Sequence, residues 1–237
     1  MKVLVVSPHF DDAPLSLGQS LLDGELSGHR VTVGVVYSRS NWTRWFHPTR
    51  ARWPLATAIR LAEEARNAVR FRYRVRRGGL EEVVLRTGEL DSSTFLSSDF
   101  DAAASSELPS VLTVLGKWAP SYDVVIAPLG IGDHVDHRLC AEAARRIAAD
   151  TGAAMAFYED RPYACVLTEE QLAEAASAID PRLVRRPVSG PMGPGKHSRI
   201  WYPSQFDEFF LTAIALDQEN ARAEHVWVLP DSPWPRP

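Results

Sequence analysis

The chain is 237 residues long, 45% hydrophobic and 24% charged, with a formal net charge of −4, which fits an ordinary globular core and argues against a nucleic-acid-binding surface. No apolar run approaches the ~18 residues that span a bilayer, and the N-terminal run falls short of the roughly 7–15 residues of a signal-peptide core. Cys140 and Cys165 make no disulfide framework, so the expectation is a cytoplasmic protein, one domain over residues 1–237 with an extended proline-rich C-terminal tail.

Val3 to Val6 reads as a fully buried strand of a parallel sheet, stopped by Pro8. His9, Asp11 and Asp12 follow at once, where open α/β sheets gather their ligands. Leu15, Leu22 and Leu26 have helical spacing, with Gly18 on the same side, and Gly28 ends that helix. Val31 to Val36 is a second buried strand, so the opening is β-α-β with a right-handed crossover and parallel strands. Ser38 to Trp53 has neither period: it interleaves Trp42, Trp45 and Phe46 with Arg39, Arg44 and Arg50. Such a loop suits either a substrate or mere cover for the domain.

Thr57 to Tyr73 predicts an amphipathic helix with Ala58, Leu61, Ala65, Ala68 and Val69 turned inward. The arginine-rich stretch from Arg60 to Arg77 then reads as a solvated face. Glu82 to Leu85 is expected as a third strand, residues 89–104 as a polar surface loop, and Leu108 to Leu115 as a helix closed by Pro120. Tyr122 to Pro128 is the second clean buried strand and runs into the glycine-hinged loop Gly130 to His137. Leu139, Ala143 and Ile147 mark the next helix, and Ala153 to Tyr158 a further strand. Thr168 and Gln171 form a capping-box pattern for a helix reaching Ser177. A strand over Arg182 to Val188, a proline-glycine loop over Gly190 to Gly195, and a helix over about Phe206 to Arg222 follow. That last helix is expected to bury Phe206, Phe210, Ile214 and Ala221.

Two polar clusters thus sit immediately after buried strands: His9/Asp11/Asp12 and His134/Asp136/His137. Parallel strands place both on one edge of the sheet, where neighbouring strands would bring them together. Histidines and carboxylates without cysteine suit zinc or a comparable divalent ion. His9, Asp12 and His137 would supply three ligands and leave a position open. Asp11 would remain free as general base, and His134, protonated and held by Asp136, could polarise a carbonyl or protonate a leaving amine. From pattern alone, Asp12 as a helix cap and His137 as a packed histidine stand as the alternative.

The strings Ser-Pro-His9-Phe-Asp11-Asp12 and Gly-Asp-His134-Val-Asp136-His137 resemble the two signature motifs of the LmbE-like, or PIG-L, family of zinc-dependent N-deacetylases. Arg60 to Glu64 resembles the family's Arg-x-x-Glu helix. Phe157 to Asp160 with Pro162-Tyr163, and Lys196 with Tyr202-Pro-Ser-Gln205, resemble later family segments. The resemblance implies an α/β, Rossmann-like three-layer sandwich with a mostly parallel central sheet. It implies zinc on His9, Asp12 and His137, Asp11 as base, His134 at the oxyanion or leaving amine, and Asp136 as an outer orienter. Two departures are visible: Ala13 stands where members often carry glutamate, and Gly132 where some carry a tyrosine that helps the oxyanion.

The expected activity is removal of an N-acetyl group from an amino sugar or N-acetylated glycoside, a small molecule, with no nucleic acid or membrane partner and homo-oligomerisation left open. Arg44, Arg161, Tyr163, Lys196, Tyr202 and Gln205 are the candidates for substrate contact, and His197 lies close to that late segment. A degenerate sugar- or nucleotide-binding module is the rival class, although no glycine-rich phosphate turn follows the first strand. A divalent-metal esterase or phosphohydrolase on the same ligands is the third.

Overall fold

The computed structural model describes residues 1–191, 193–220 and 222–235. In chain order its elements are β1 (Lys2–Ser7), α1 (Asp12–Leu22), β2 (Arg30–Val35), α2 (Trp53–Phe71), β3 (Arg74–Arg77), α3 (Val83–Thr87), α4 (Ser92–Phe95) and α5 (Leu108–Trp118). Then come β4 (Val124–Pro128), α6 (Val135–Thr151), β5 (Ala154–Tyr158), α7 (Glu169–Ile179), β6 (Val184–Pro187), α8 (Pro194–Arg199), α9 (Glu208–Glu219) and β7 (His225–Val228). The sheet has seven strands in the order β3-β2-β1-β4-β5-β7-β6. The first five are parallel, and β7 runs antiparallel to both its neighbours. This is the mostly parallel α/β sandwich expected from the motifs.

β1 is the central strand, with Leu4 opposite Thr32 of β2 on one side and Val125 of β4 on the other. Its alternation serves two cores. Leu4 and Val6 join Val125, Ala127, Leu115, Leu139 and Ala143 on one face. Val3 and Val5 join Val33, Ile126, Leu15 and Phe71 on the other. Burial on both faces is why the strand reads as an unbroken apolar run. From β1 the chain crosses over to β2, whereas β4 lies on β1's opposite side. The loops after β1 and β4 therefore flank the crevice at a switch point in strand order.

Several expectations are corrected. The third strand is Arg74–Arg77, an edge strand fully exposed along its length, and Val83–Thr87 is helical. Arginines on that edge keep it charged and discourage pairing with another sheet. The inward face of α2 is also not the apolar one: Ala58, Ala65 and Val69 are exposed, while Thr57, Arg60, Glu63, Glu64 and Asn67 are buried. α9 stops at Glu219 and buries Ala213 and Asp217, with Phe210 and Ile214 half-buried; Ala221 lies outside the described residues. Within the proline-rich C-terminal segment, Trp234 is buried in the second core. No helix among the described residues is long and apolar enough to cross a membrane.

Candidate active site

The loop after β1 delivers His9 and Asp11, with Asp12 opening α1, and the loop after β4 delivers His134, with Asp136 and His137 in the first turn of α6. Because β1 and β4 are neighbours, the two clusters meet. The rings of His9, His134 and His137 lie with centroids 4.8–5.3 Å apart. One ligand atom from each of His9, Asp12 and His137 lies within 4.8 Å of the others, as do atoms of His9, His134 and Asp136. The expected trio is therefore assembled, and His9 is shared between two potential donor sets.

Hydrogen bonds favour the first set. His9 turns Nε2 to Asp136 Oδ2 at 3.2 Å and Nδ1 toward Asp12 at 3.5 Å. His137 turns Nδ1 to Asp160 Oδ1 at 2.7 Å and Nε2 toward Asp12 at 3.4 Å. Each imidazole thus has a carboxylate behind it and a second nitrogen facing the shared Asp12. Metal-binding histidines are held in this way, with the outer carboxylate fixing the tautomer. Two nitrogens and one oxygen without sulfur suit zinc or a similar divalent ion. Burial opposes charge on these rings, yet Asp12 and Asp136 push His9 up to about 9, and Asp12 and Asp160 raise His137. Both are thus protonated in the absence of an ion, and an ion would take the place of those protons.

Asp136 was expected to hold His134, and it does not. Besides His9, it accepts from the Val83 amide at 2.9 Å and Arg86 Nη2 at 2.8 Å. His134 caps α6: its Nδ1 accepts from the Asp136 amide at 3.3 Å. In the neutral ring this leaves the proton on Nε2. Burial, with cationic His9 and His137 alongside, keeps His134 well below its ordinary pKa. His134 is therefore a neutral N–H donor rather than the imidazolium that the motif suggested.

Asp11 stands beside this group, bound by Arg60 Nη2 at 3.2 Å. Arg60 divides itself between Asp11 and Glu82, whose Oε2 lies 2.7 Å from Nη1. Burial drives the Asp11 carboxyl up and Arg60 draws it down, with burial prevailing. This explains the polar inner face of α2. Arg60 steadies the carboxylate of the first motif, Glu63 accepts from the Ser204 amide and hydroxyl, and Glu64 shares a bond with the Tyr202 hydroxyl.

Above these groups opens a cavity of about 580 Å³. Of the six residues proposed to meet substrate, Tyr163 and Gln205 line it. The others lie elsewhere. Arg44 donates to the Phe206 carbonyl. Arg161 pairs with Asp217 at 2.8 Å, Lys196 is buried with its Nζ 2.8 Å from Glu224, and the Tyr202 hydroxyl reaches the Phe10 carbonyl. The His197 side chain lies outside the described residues. Gly132 adopts φ +85°, and a Cβ there would fall 2.2–2.6 Å from the Tyr163 ring. Tyr163 thus fills, from the loop after β5, the space beside the second motif.

No protein-family model matches the chain. Over 194 residues it is 32% identical to 2′-N-acetylparomamine deacetylase of Streptomyces fradiae, an alignment covering 75% of this chain and 64% of that protein. The chain thus spans less than two thirds of that relative's length. The zinc-inhibited form of teicoplanin deacetylase Orf2 matches with a TM-score of 0.60 at 17% identity, over 98% of this chain and all of the other. The chain shares the fold of that deacetylase. N,N′-diacetylchitobiose deacetylase from Pyrococcus horikoshii matches at a TM-score of 0.53 and 14% identity, over 99% of this chain and 87% of that one. Structural likeness at such identities speaks to the fold, and the sequence relationship adds a deacetylase homologue.

The motifs gave no role to Glu82 or Arg86, and named Asp160 only within a resembling segment without assigning it to His137. Asp160 had a usable signal, because it follows β5, the next parallel strand along the same edge. Glu82 and Arg86 had none, since Glu82 opened an expected strand and Arg86 lay just beyond its end.

Proposed function

We propose that the protein is a zinc-dependent amidohydrolase that removes the N-acetyl group from an amino-sugar-containing small molecule. The observation that carries this reading is the position of Asp11, tied to Arg60, beside the His9–Asp12–His137 donor set on the floor of a cavity. Those three residues would hold the ion. When bound, it supplies Lewis acidity toward an amide carbonyl and toward water. Asp11 accepts the proton of the attacking water and returns it to the departing amine, while its raised carboxyl keeps the return step accessible. His134 offers its Nε2–H to the carbonyl oxygen as charge develops there. Asp136 and Asp160 hold His9 and His137 in the orientation that binding needs.

The overall change is water plus amide giving acetate and free amine. A phosphohydrolase on the same residues is less well supported. Among the described residues lining the cavity, Arg60 is the one arginine or lysine, and it is committed to Asp11 and Glu82. That leaves no free guanidinium or ammonium there for a phosphate dianion. Acetate release from a panel of N-acetyl amino-sugar glycosides, with zinc added and after chelation, tests the proposal. Turnover that chelation abolishes and zinc restores is expected, whereas release indifferent to chelation, or none across the panel, would sink it.

A further inference from the structure

The cavity has two unlike halves. His9, Asp11, Asp12, His134 and His137 form its floor, while Trp42, Val84, Phe95, Leu96, Tyr163 and Phe209 form much of its wall. The wall side chains come from five separate segments: the loop before α2, α3, the end of α4 with the residue after it, the loop after β5, and α9. Leu96 is bridged to His134, and the Ser97 amide donates to the Asp133 carbonyl at 2.9 Å, so this wall is fastened to the reacting end. Trp42, Leu96 and Phe209 remain 37%, 36% and 45% exposed. A set of large apolar side chains converging on one opening marks a binding surface rather than ordinary exterior.

An acetamido group needs only the floor. Gln205 and Asp207, also on the lining, are suited to sugar hydroxyls. The more exposed part of the wall, Trp42 and Phe209, is then left for what lies beyond the sugar. Flat rings on several sides of an open mouth match a planar apolar group through offset and edge contacts. Phe95 and Tyr163 lie with ring centroids 5.9 Å from those of His134 and His137 and so bound the reacting end, whereas Trp42 and Phe209 are the more exposed rings. We infer that the substrate is a glycoside with an apolar, aromatic aglycone seated against Trp42 and Phe209. The inference rests on the deacetylase reading and narrows it.

The test uses the zinc-loaded full chain and two matched pairs. Acetate release is compared for phenyl and methyl glycosides of N-acetylglucosamine, and calorimetry compares binding of the corresponding deacetylated glucosaminides. The phenyl member of each pair should be favoured by about tenfold, the scale of one good aromatic contact with its burial. Phe209→Ala and Trp42→Ala should each narrow the phenyl-to-methyl ratio, with thermal unfolding confirming that the variants fold. A methyl glycoside bearing N-octanoyl in place of N-acetyl should gain nothing. Equal binding of phenyl and methyl compounds, or a gain that follows the acyl chain, would overturn the inference. If neither glycoside is hydrolysed while phenyl still binds tighter, the deacetylase reading fails and the aromatic seat stands. If both are hydrolysed and bound alike, the reverse holds.

Discussion

Glu64 lies behind the active site, on the buried face of α2, and its proton should be visible in the stability of the whole protein. The Tyr202 hydroxyl lies 2.9 Å from the Phe10 carbonyl and 2.6 Å from Glu64 Oε2. One hydroxyl hydrogen cannot serve both acceptors. If Glu64 is protonated, it donates to Tyr202, which donates to Phe10, and both contacts become hydrogen bonds. Burial likewise pushes the Glu64 carboxyl up, to about 8. In the unfolded chain it titrates near 4.5. Between those values the folded state holds a proton that the unfolded state has released, so stability is full below the lower value and falls as pH rises toward the upper. The gap corresponds to a loss on the order of 3–5 kcal/mol. Glu64→Gln mimics the protonated acid, since its amide can donate to Tyr202 in the same way. Urea unfolding of wild type and variant from pH 5 to 9 isolates the effect from all other titrating groups. The two proteins should be similar near pH 5, with the variant increasingly the more stable toward pH 9. Parallel curves, or a variant equally weakened at every pH, would show that Glu64 is ionised in the fold and refute the reasoning.

Other expectations follow from the same geometry. Asp11→Asn should keep metal affinity while lowering turnover by about 10²–10⁴; near wild-type rates would remove Asp11 from the role of base. Asp160→Asn leaves His137 without its carboxylate, and isothermal titration with zinc should show affinity reduced about 10–100-fold. An unchanged affinity would mean that the bond of 2.7 Å to His137 has no bearing on binding. Gly132→Ala would place a methyl within 2.2 Å of the Tyr163 ring at a positive φ, costing about 2–4 kcal/mol unless the ring moves. Denaturant midpoints would record that cost, and a neutral result would show that Tyr163 gives way freely.

Much of the site was legible because its logic is local. A buried strand followed by His9, Asp11 and Asp12, and another followed by His134 and His137, needed only that the two strands be neighbours, which β1 and β4 are. What was illegible depends on distant partners. Arg161, Lys196 and Tyr202 looked like substrate groups, yet they answer to Asp217, Glu224 and Glu64, none of which announces such a pairing. Asp136 sits two residues from His134 in sequence but serves His9 from the other motif. The strand expected over Glu82 to Leu85 became a helix because Glu82 turns to Arg60 and the Val83 amide to Asp136. In each case a tertiary contact outweighed the local pattern.

The inverted face of α2 changes where this protein can accept mutation. A scan guided by hydrophobicity would protect Ala58, Ala65 and Val69 and treat Arg60, Glu63 and Asn67 as expendable. Burial says the opposite. Val69, 80% exposed, should tolerate lysine or glutamate, whereas Asn67 holds the Trp201 amide at 3.0 Å and the Trp201 carbonyl at 2.9 Å, and an apolar replacement strands both. Drift along such a helix would spare its charges and randomise its aliphatics, so recognisable ancestry would persist in the polar letters.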